Sequence, residues 1–318
     1  GDKLQSVDID TSNHKDYTYD TAGRCIAASS TAGGLVADRK VFTWNSQSEM
    51  TRMQRTVHSG GVLFDETYKY NSAGARVQAG PTGGAVTKFT RPGLSVLSPV
   101  LSETVEGAAQ VTYTPGVSER RSGVSRFLRS GMKNADLQTN SVATAVSQKR
   151  YDAFGDGQTQ VSGSFWRGPW GYGGPFGYYS TNYGPQAIGM EAGYTPTEPI
   201  KQVGHRWYDP SIGRFLSRDP AQSGRNWFSY CENDPINTAD PSGLEERALT
   251  KDQNVKMQGG INRLKADGYG KEADHLQELL NAGKIKYDDK LDAYAEERWG
   301  HIIVGEKFFR LYEAPTSP

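Results

Sequence analysis

The chain has 318 residues, room for about two domains, and carries 36 Lys+Arg against 36 Asp+Glu. That balance excludes a chain-wide field that would draw in nucleic acid or an anionic membrane, and no apolar run approaches the ~18 residues of a membrane span. With 36% hydrophobic residues, 37 Gly, 17 Tyr and 11 Phe, there is material for a core, and it favours strands and turns over helices.

The first elements are repeats. YTYDTAGR begins at Tyr17, FTWNSQSEMTR at Phe42 and YKYNSAGAR at Tyr68, an aromatic-x-aromatic-[DN]-x-x-G-x-R unit that returns about every 25 residues. The pairs Tyr17/Tyr19, Phe42/Trp44 and Tyr68/Tyr70 alternate with polar residues, as a half-buried strand requires. Asp20, Asn45 or Asn71 then opens a turn, and Gly23 or Gly74 supplies a positive-φ position. The second unit has Ser48 where the others have Gly, which predicts a looser turn. Weaker echoes occur at Phe89 and Tyr113. A single hairpin cannot bury its own apolar face, so successive hairpins must stack into one sheet. The chain opens on Gly1, partway into a repeat, and reads as the C-terminal part of a longer polypeptide.

Further along, Arg120 to Lys133 is locally basic and reads as another repeat strand rather than a nucleic-acid patch. YDAFG spans Tyr151 to Gly155. Phe165 to Tyr194 is rich in Gly and Tyr, which predicts a meander that packs its rings inward. Basic residues are almost absent there, which counts against base stacking on those rings. Cys25 and Cys231 make neither a disulfide scaffold nor a C-x-x-C zinc pair, and read as unpaired, partly buried thiols.

From Gly204 the chain reads GHRWYDPSIGRFLSRDP, then AQSGRNWFSYCENDPINTADPSGL, placing Asp-Pro pairs at Asp209, Asp219, Asp234 and Asp240. Pro fixes φ and Asp bonds its local backbone, so each pair is a turn former. The order of residues closely resembles the core-associated segment of the Rhs and YD-repeat family, which includes teneurin-like and wall-associated bacterial proteins. The positions that carry the likeness are Arg206, Tyr208, Asp209, Pro210, Gly213, Arg214, Phe215, Asp219, Pro220, Asn226, Tyr230, Asn233, Pro235, Asp240, Pro241, Gly243 and Leu244. The aromatic units match its YD repeats, and YDAFG a landmark before the core.

That resemblance implies a mainly β fold: YD-repeat hairpins at 1–160 forming part of a spiralling β-sheet shell, and a core at 161–244 that closes it. It also implies a shell that holds its own C-terminal passenger, with an immunity protein or a secretion-system component as partner and a secreted or cell-surface location. The chemistry implied is aspartyl self-cleavage by Asp219 and Asp240, with Arg214 as electrostatic partner and the cut between Leu244 and Glu245. Two carboxylates that cannot both ionise share a proton, leaving one acid and one base. Asp219 departs from the family's D-P-x-G-L, being followed by Pro220-Ala221-Gln222-Ser223-Gly224. The competing reading makes all four Asp-Pro pairs turn formers alone. No cofactor or metal is expected.

After Leu244 the pattern changes to a small α+β extension at 245–318. Thr250 with Gln253 forms a capping box before a helix through Val255, Ile261 and Leu264. Ala273, Leu276, Leu279 and Leu280 make a second stripe that ends near Gly283. Ile285 to Tyr287 reads as a strand and Lys290 to Trp299 as a third helix. His301 starts a strand whose partner is missing. His275 with Glu278, and Glu297 with His301, read as structural pairs; H-E-x-x-H and phosphate loops do not occur. Two other functions stay open: an effector whose extension is a nuclease or peptidase, and a surface module that binds carbohydrate through the repeats.

Overall fold

The aromatic units fold as hairpins. Their outgoing strands are His14–Tyr19, Leu35–Trp44 and Val62–Tyr70, and their return strands are Cys25–Ala32, Met50–Val57 and Arg76–Pro81. Tyr17, Phe42 and Tyr68 are buried, the residue after each is exposed, and the second aromatic is half-buried, the alternation of a sheet packed on one face. The computed structural model describes residues 3–8, 14–33, 35–57, 60–130, 134–163, 166–181, 200–220, 226–244, 247–248, 251–266, 268–281, 285–287, 295–298 and 301–304. The chain divides into two units, residues 1–219 with 226–244, and residues 220–225 with 245–318.

In the first unit, 15 strands from Ser6–Asp8 to Gly157–Gly163 form one sheet in sequence order. The repeat is visible in the register. Tyr17 stands opposite Ala28, Phe42 opposite Met53 and Tyr68 opposite Ala79, the same offset each time. Each pairing then shifts one step before the second aromatic, between Thr18 and Tyr19, Thr43 and Trp44, and Lys69 and Tyr70. Such a bulge re-aims the following side chain. The re-aimed ring reaches back to the preceding hairpin: Trp44 Nε1 donates to the Cys25 carbonyl at 2.7 Å, and the Tyr70 hydroxyl to the Met50 carbonyl at 2.7 Å. The second aromatic is thus the tie between successive repeats.

The turns share one design. Asn71 Oδ1 accepts the Ala73 and Ala75 N–H groups, both at 3.0 Å, and Gly74 sits at φ 77°. The expected looser turn of the second unit is not found. Ser48 takes φ 64°, its N–H bonds the Asn45 carbonyl at 3.2 Å, and Asn45 Oδ1 accepts Gln47 and Glu49 N–H at 3.0 and 2.9 Å. The Asn side chain holds Ser48 in a left-handed conformation that costs about 1–2 kcal/mol. The same Asx turn recurs at Asn140, with Ala143 at φ 60°, and at Asp152, with Gly155 at φ 86°. Phe89 and Tyr113 are buried on the strands Thr87–Thr90 and Ala108–Thr114. The basic stretch forms the strands Ser118–Arg121 and Val124–Ser130.

The Gly/Tyr-rich stretch and the core segment pack against the aromatic face of this sheet. One apolar cluster joins Tyr17, Phe42, Tyr68, Phe89 and Tyr113 to Trp170, Tyr179, Trp207 and Leu216. Trp207 stacks on Tyr68 with centroids 4.9 Å apart, and its Nε1 donates to the Tyr70 hydroxyl at 3.1 Å. Arg76, 1% exposed, lies 4.3–5.4 Å from the rings of Tyr68, Phe89, Tyr179 and Trp207. Two of those rings come from the sheet and two from the segment packed on it. The rings desolvate the guanidinium, and their π faces compensate it. The inward packing expected of the Gly/Tyr stretch holds for Trp170, Tyr172, Tyr178 and Tyr179; Phe165 and residues 182–194 of it lie outside the described residues. Four short strands, Tyr179–Ser180, Lys201–Val203, Arg206–Asp209 and Arg214–Phe215, pair in that order. Cys25 and Cys231 are both buried, and burial pushes the Cys25 thiol up to about 12.

In the second unit the helices are Lys251–Ala266 and Gly270–Asn281. Ala273 is buried, with Leu276, Leu279 and Leu280 packed beside it, as the apolar stripe predicts. The first helix differs from expectation. Ile261 is buried as expected, but among the described side chains Met257 is buried with it and Val255 is 71% exposed. Met257 and Ile261 are one turn apart, whereas Val255 lies on another face. Thr250 and the Leu264 side chain lie outside what is described. Of the predicted third helix, Lys290 to Trp299, the described residues Ala295–Arg298 form a strand that pairs antiparallel with His301–Val304, and 290–294 and 299 lie outside the described residues. The strand at His301 therefore has its partners, since Ile285–Tyr287 also runs parallel to it. Ladder pairing with the apolar Ile302–Val304 run has overridden the helical pattern of the preceding charged residues. Glu297 and His301 lie on two strands paired antiparallel, not at a helix end.

Candidate active site

The four Asp-Pro turns separate into two kinds. Asp209 Oδ1 accepts the Ser211 N–H and hydroxyl at 3.0 and 2.7 Å, and the Asp234 carboxylate accepts Asn237 Nδ2 at 2.9 and 3.1 Å. These are local turn bonds. Asp219 and Asp240, 2% and 7% exposed, belong to a longer network that converges on the end of the core segment.

Close backbone packing positions Asp240. Gly243 has φ 65°, and a Cβ there would lie 2.0 Å from the Val203 carbonyl oxygen, so only glycine fits. The His205 N–H donates to the Ser242 carbonyl at 2.8 Å, and the Asp240 N–H to the Tyr178 hydroxyl at 3.0 Å. That hydroxyl is itself 3.0 Å from the Tyr230 hydroxyl. The carboxyl then divides its contacts. Oδ2 faces Arg206 Nη2 at 3.2 Å, while Oδ1 accepts the Leu244 N–H and the Ser242 hydroxyl, both at 3.1 Å.

Arg206 organises the rest. Its Nε donates to the Gly243 carbonyl and its Nη1 to the Trp227 carbonyl at 3.2 Å, with the guanidinium 3.5 Å from the Phe215 ring centroid. The Trp227 carbonyl also accepts the Asp219 N–H, at 2.8 Å. One carbonyl thus ties the backbone of the first aspartate to the arginine that grips the second. Burial pushes the Asp240 carboxyl above the ordinary aspartate value. Arg206, Ser242 and the Leu244 N–H pull it down, and the charge of Asp219 pushes it further up. The charge of Asp219 is thus felt at the Asp240 carboxyl.

Arg214 Nη2 donates to Asn226 Oδ1 at 3.1 Å, and its guanidinium is 5.9 Å from the Phe228 ring centroid. The arginine bonded to Asp240 is Arg206. Sequence reasoning placed Arg206 in the motif without that role, because spacing alone does not say which arginine crosses to which turn. Leu244 is half-buried; Glu245 and residues 221–225, where the turn after Asp219 departs from D-P-x-G-L, lie outside the described residues. Among the described residues no group of three or more His, Cys, Asp or Glu could hold a metal ion, and no helix is long and apolar enough to cross a membrane.

No family model matches the chain. Solved structures similar to it include a Photorhabdus luminescens Tc holotoxin pore carrying a TccC3 substitution, with a TM-score of 0.45 and 16% identity over 75% of this chain and 13% of that one. A TcdB2–TccC3 structure with a TEV element gives 0.44 and 17% over 73% and 13%. TcdB2–TccC3 without its hypervariable C-terminal region gives 0.44 and 16% over the same shares, 73% and 13%. The chain thus spans 13% of the length of these relatives.

Proposed function

We propose that this chain is a section of an Rhs-type shell that encloses and delivers its own C-terminal passenger, with Asp219 and Asp240 cutting the chain after Leu244. The shell reading is supported by a sequential sheet whose aromatic repeats are tied hairpin to hairpin, and by the core motif seated on its buried face. The observation that carries the cleavage reading is Asp240 itself: a buried carboxyl, raised by burial, coupled to Asp219, and bonded to the N–H of Leu244.

In this mechanism Asp219 takes a proton from water while Asp240, its carboxyl raised by burial, serves as the acid. The geometry that holds Leu244 against Asp240 replaces substrate binding: the cleaved residue is already within hydrogen-bond distance of the acid. The passenger would be residues 245–318 and whatever follows. Secretion or surface display, and an immunity protein or secretion-system component as partner, belong to the same proposal. Intact mass of the purified chain tests it. The expected result is a break after Leu244 in wild type and a single full-length species in Asp240→Asn. Full-length protein alone in both would contradict the reading.

A further inference from the structure

One serine hydroxyl lies within hydrogen-bond distance of both Asp240 and the Leu244 carbonyl. The Ser242 hydroxyl oxygen lies 3.1 Å from Asp240 Oδ1 and 2.8 Å from the Leu244 carbonyl oxygen, and the Leu244 N–H points at it from 3.1 Å. A serine hydroxyl has one hydrogen and two lone pairs. With two acceptors in reach and one hydrogen to give, Ser242 leaves an acceptor pair unbridged as long as Asp240 is ionised. With the proton on Asp240 Oδ1, every contact is satisfied: Asp240 donates to Ser242, and Ser242 donates to the Leu244 carbonyl. Ser242 is 3% exposed, so water does not compete for these bonds.

We propose that Ser242 is a catalytic residue of the self-cleavage, its hydroxyl polarising the Leu244 carbonyl and relaying to it the proton held by Asp240. This rests on the cleavage reading above and adds a residue at the variable position of D-P-x-G-L, which the motif leaves open. Asp219 removes a proton from water, and the hydroxide forms a bond to the Leu244 carbonyl carbon. The carbonyl oxygen takes the Ser242 hydrogen as Ser242 takes that of Asp240. The resulting diol collapses: Asp219 returns its proton to the Glu245 nitrogen, the C–N bond breaks, and a diol hydrogen passes back through Ser242 to Asp240. One water is consumed, giving the Leu244 carboxylic acid and the Glu245 amine, with both aspartates restored. The donor is fixed before charge develops on the carbonyl oxygen, the arrangement that makes an oxyanion contact effective.

The backbone of this turn is held independently of the serine side chain, by the His205 N–H on the Ser242 carbonyl and by the Gly243 approach to Val203. Ser242→Ala should therefore fold. The test is a time course of the break after Leu244, by intact mass, after the full chain is diluted from denaturant. Cleavage should slow about a hundredfold in Ser242→Ala and return to within severalfold of wild type in Ser242→Thr, which keeps the hydroxyl. Wild-type rate in Ser242→Ala, or equal slowing in Ser242→Thr with an unchanged melting temperature, overturns the role of Ser242 and leaves the aspartate pair standing. Should Ser242→Ala not melt cooperatively, Ser242→Cys decides, since a thiol is a weak donor: slowing supports the relay, and wild-type rate overturns it. Wild type that stays intact overturns the cleavage reading and this one with it.

Discussion

Asp209-Pro210-Ser211 and Asp240-Pro241-Ser242 are the same tripeptide, both buried, with opposite surroundings. Burial does not separate them, since Asp209 is 1% exposed and Asp240 7%. In the first, the serine N–H and hydroxyl both bond its own aspartate, and the chain runs on through Ile212 and Gly213 into the next short strand. In the second, Gly243 folds the backbone so that Leu244 returns over the carboxyl, Arg206 grips the far oxygen, and Asp219 adds its charge. A turn becomes a candidate reaction centre through its neighbours, not through its own sequence.

Substitutions at the two turns should have contrasting effects. The largest effect expected is at Asp240, where Asn abolishes the break after Leu244; Asp209→Ala should leave that break intact, as read by intact mass. Next is Trp207, on the strand that carries both Arg206 and Asp209. Its replacement by Ala should destabilise by ~3–5 kcal/mol in denaturant melts, because the ring is 1% exposed and stacked on Tyr68. Asp209→Ala should cost about 1–3 kcal/mol by leaving the Ser211 donors without their acceptor. A stability loss at Asp209 accompanied by lost cleavage would erase the contrast.

The pH dependence sharpens the comparison further. Folding raises the Asp240 carboxyl, so above the ordinary aspartate value the folded state holds more protons than the unfolded one. Its contribution therefore favours folding at low pH and is lost as pH rises through the folded value. Asp240→Asn should flatten that part of the stability–pH curve. The smallest effect lies away from the site: Ser48→Gly should raise stability by about 1 kcal/mol by relieving a left-handed serine.

The hairpins were legible because their causes are local and repeated. Tyr17, Phe42 and Tyr68 carry a period-2 signal, and Asp20, Asn45 and Asn71 carry their own turn chemistry. The turn at Ser48 was misjudged because glycine was weighed above the Asn45 side chain that holds it. The turn at Asn140 went unseen because no aromatic pair precedes it. In the second unit, Ala295–Arg298 reads as helix until its ladder to His301–Val304 is known, which is information from another strand. The site was legible as a list of acids, from resemblance to a family, but not as a network. Nothing in the spacing says that Arg206 rather than Arg214 crosses to Asp240, or that Ser242 alone of the two D-P-S serines meets a backbone carbonyl two residues on.

Sequencing the amino terminus of the smaller fragment from freshly folded wild-type chain addresses the aspartate pair most directly. Release of a piece that starts at Glu245, and its disappearance in Asp240→Asn, is the outcome required. A piece that starts elsewhere, or the same piece from the variant, would show that Asp240 holds a turn and does not cut one.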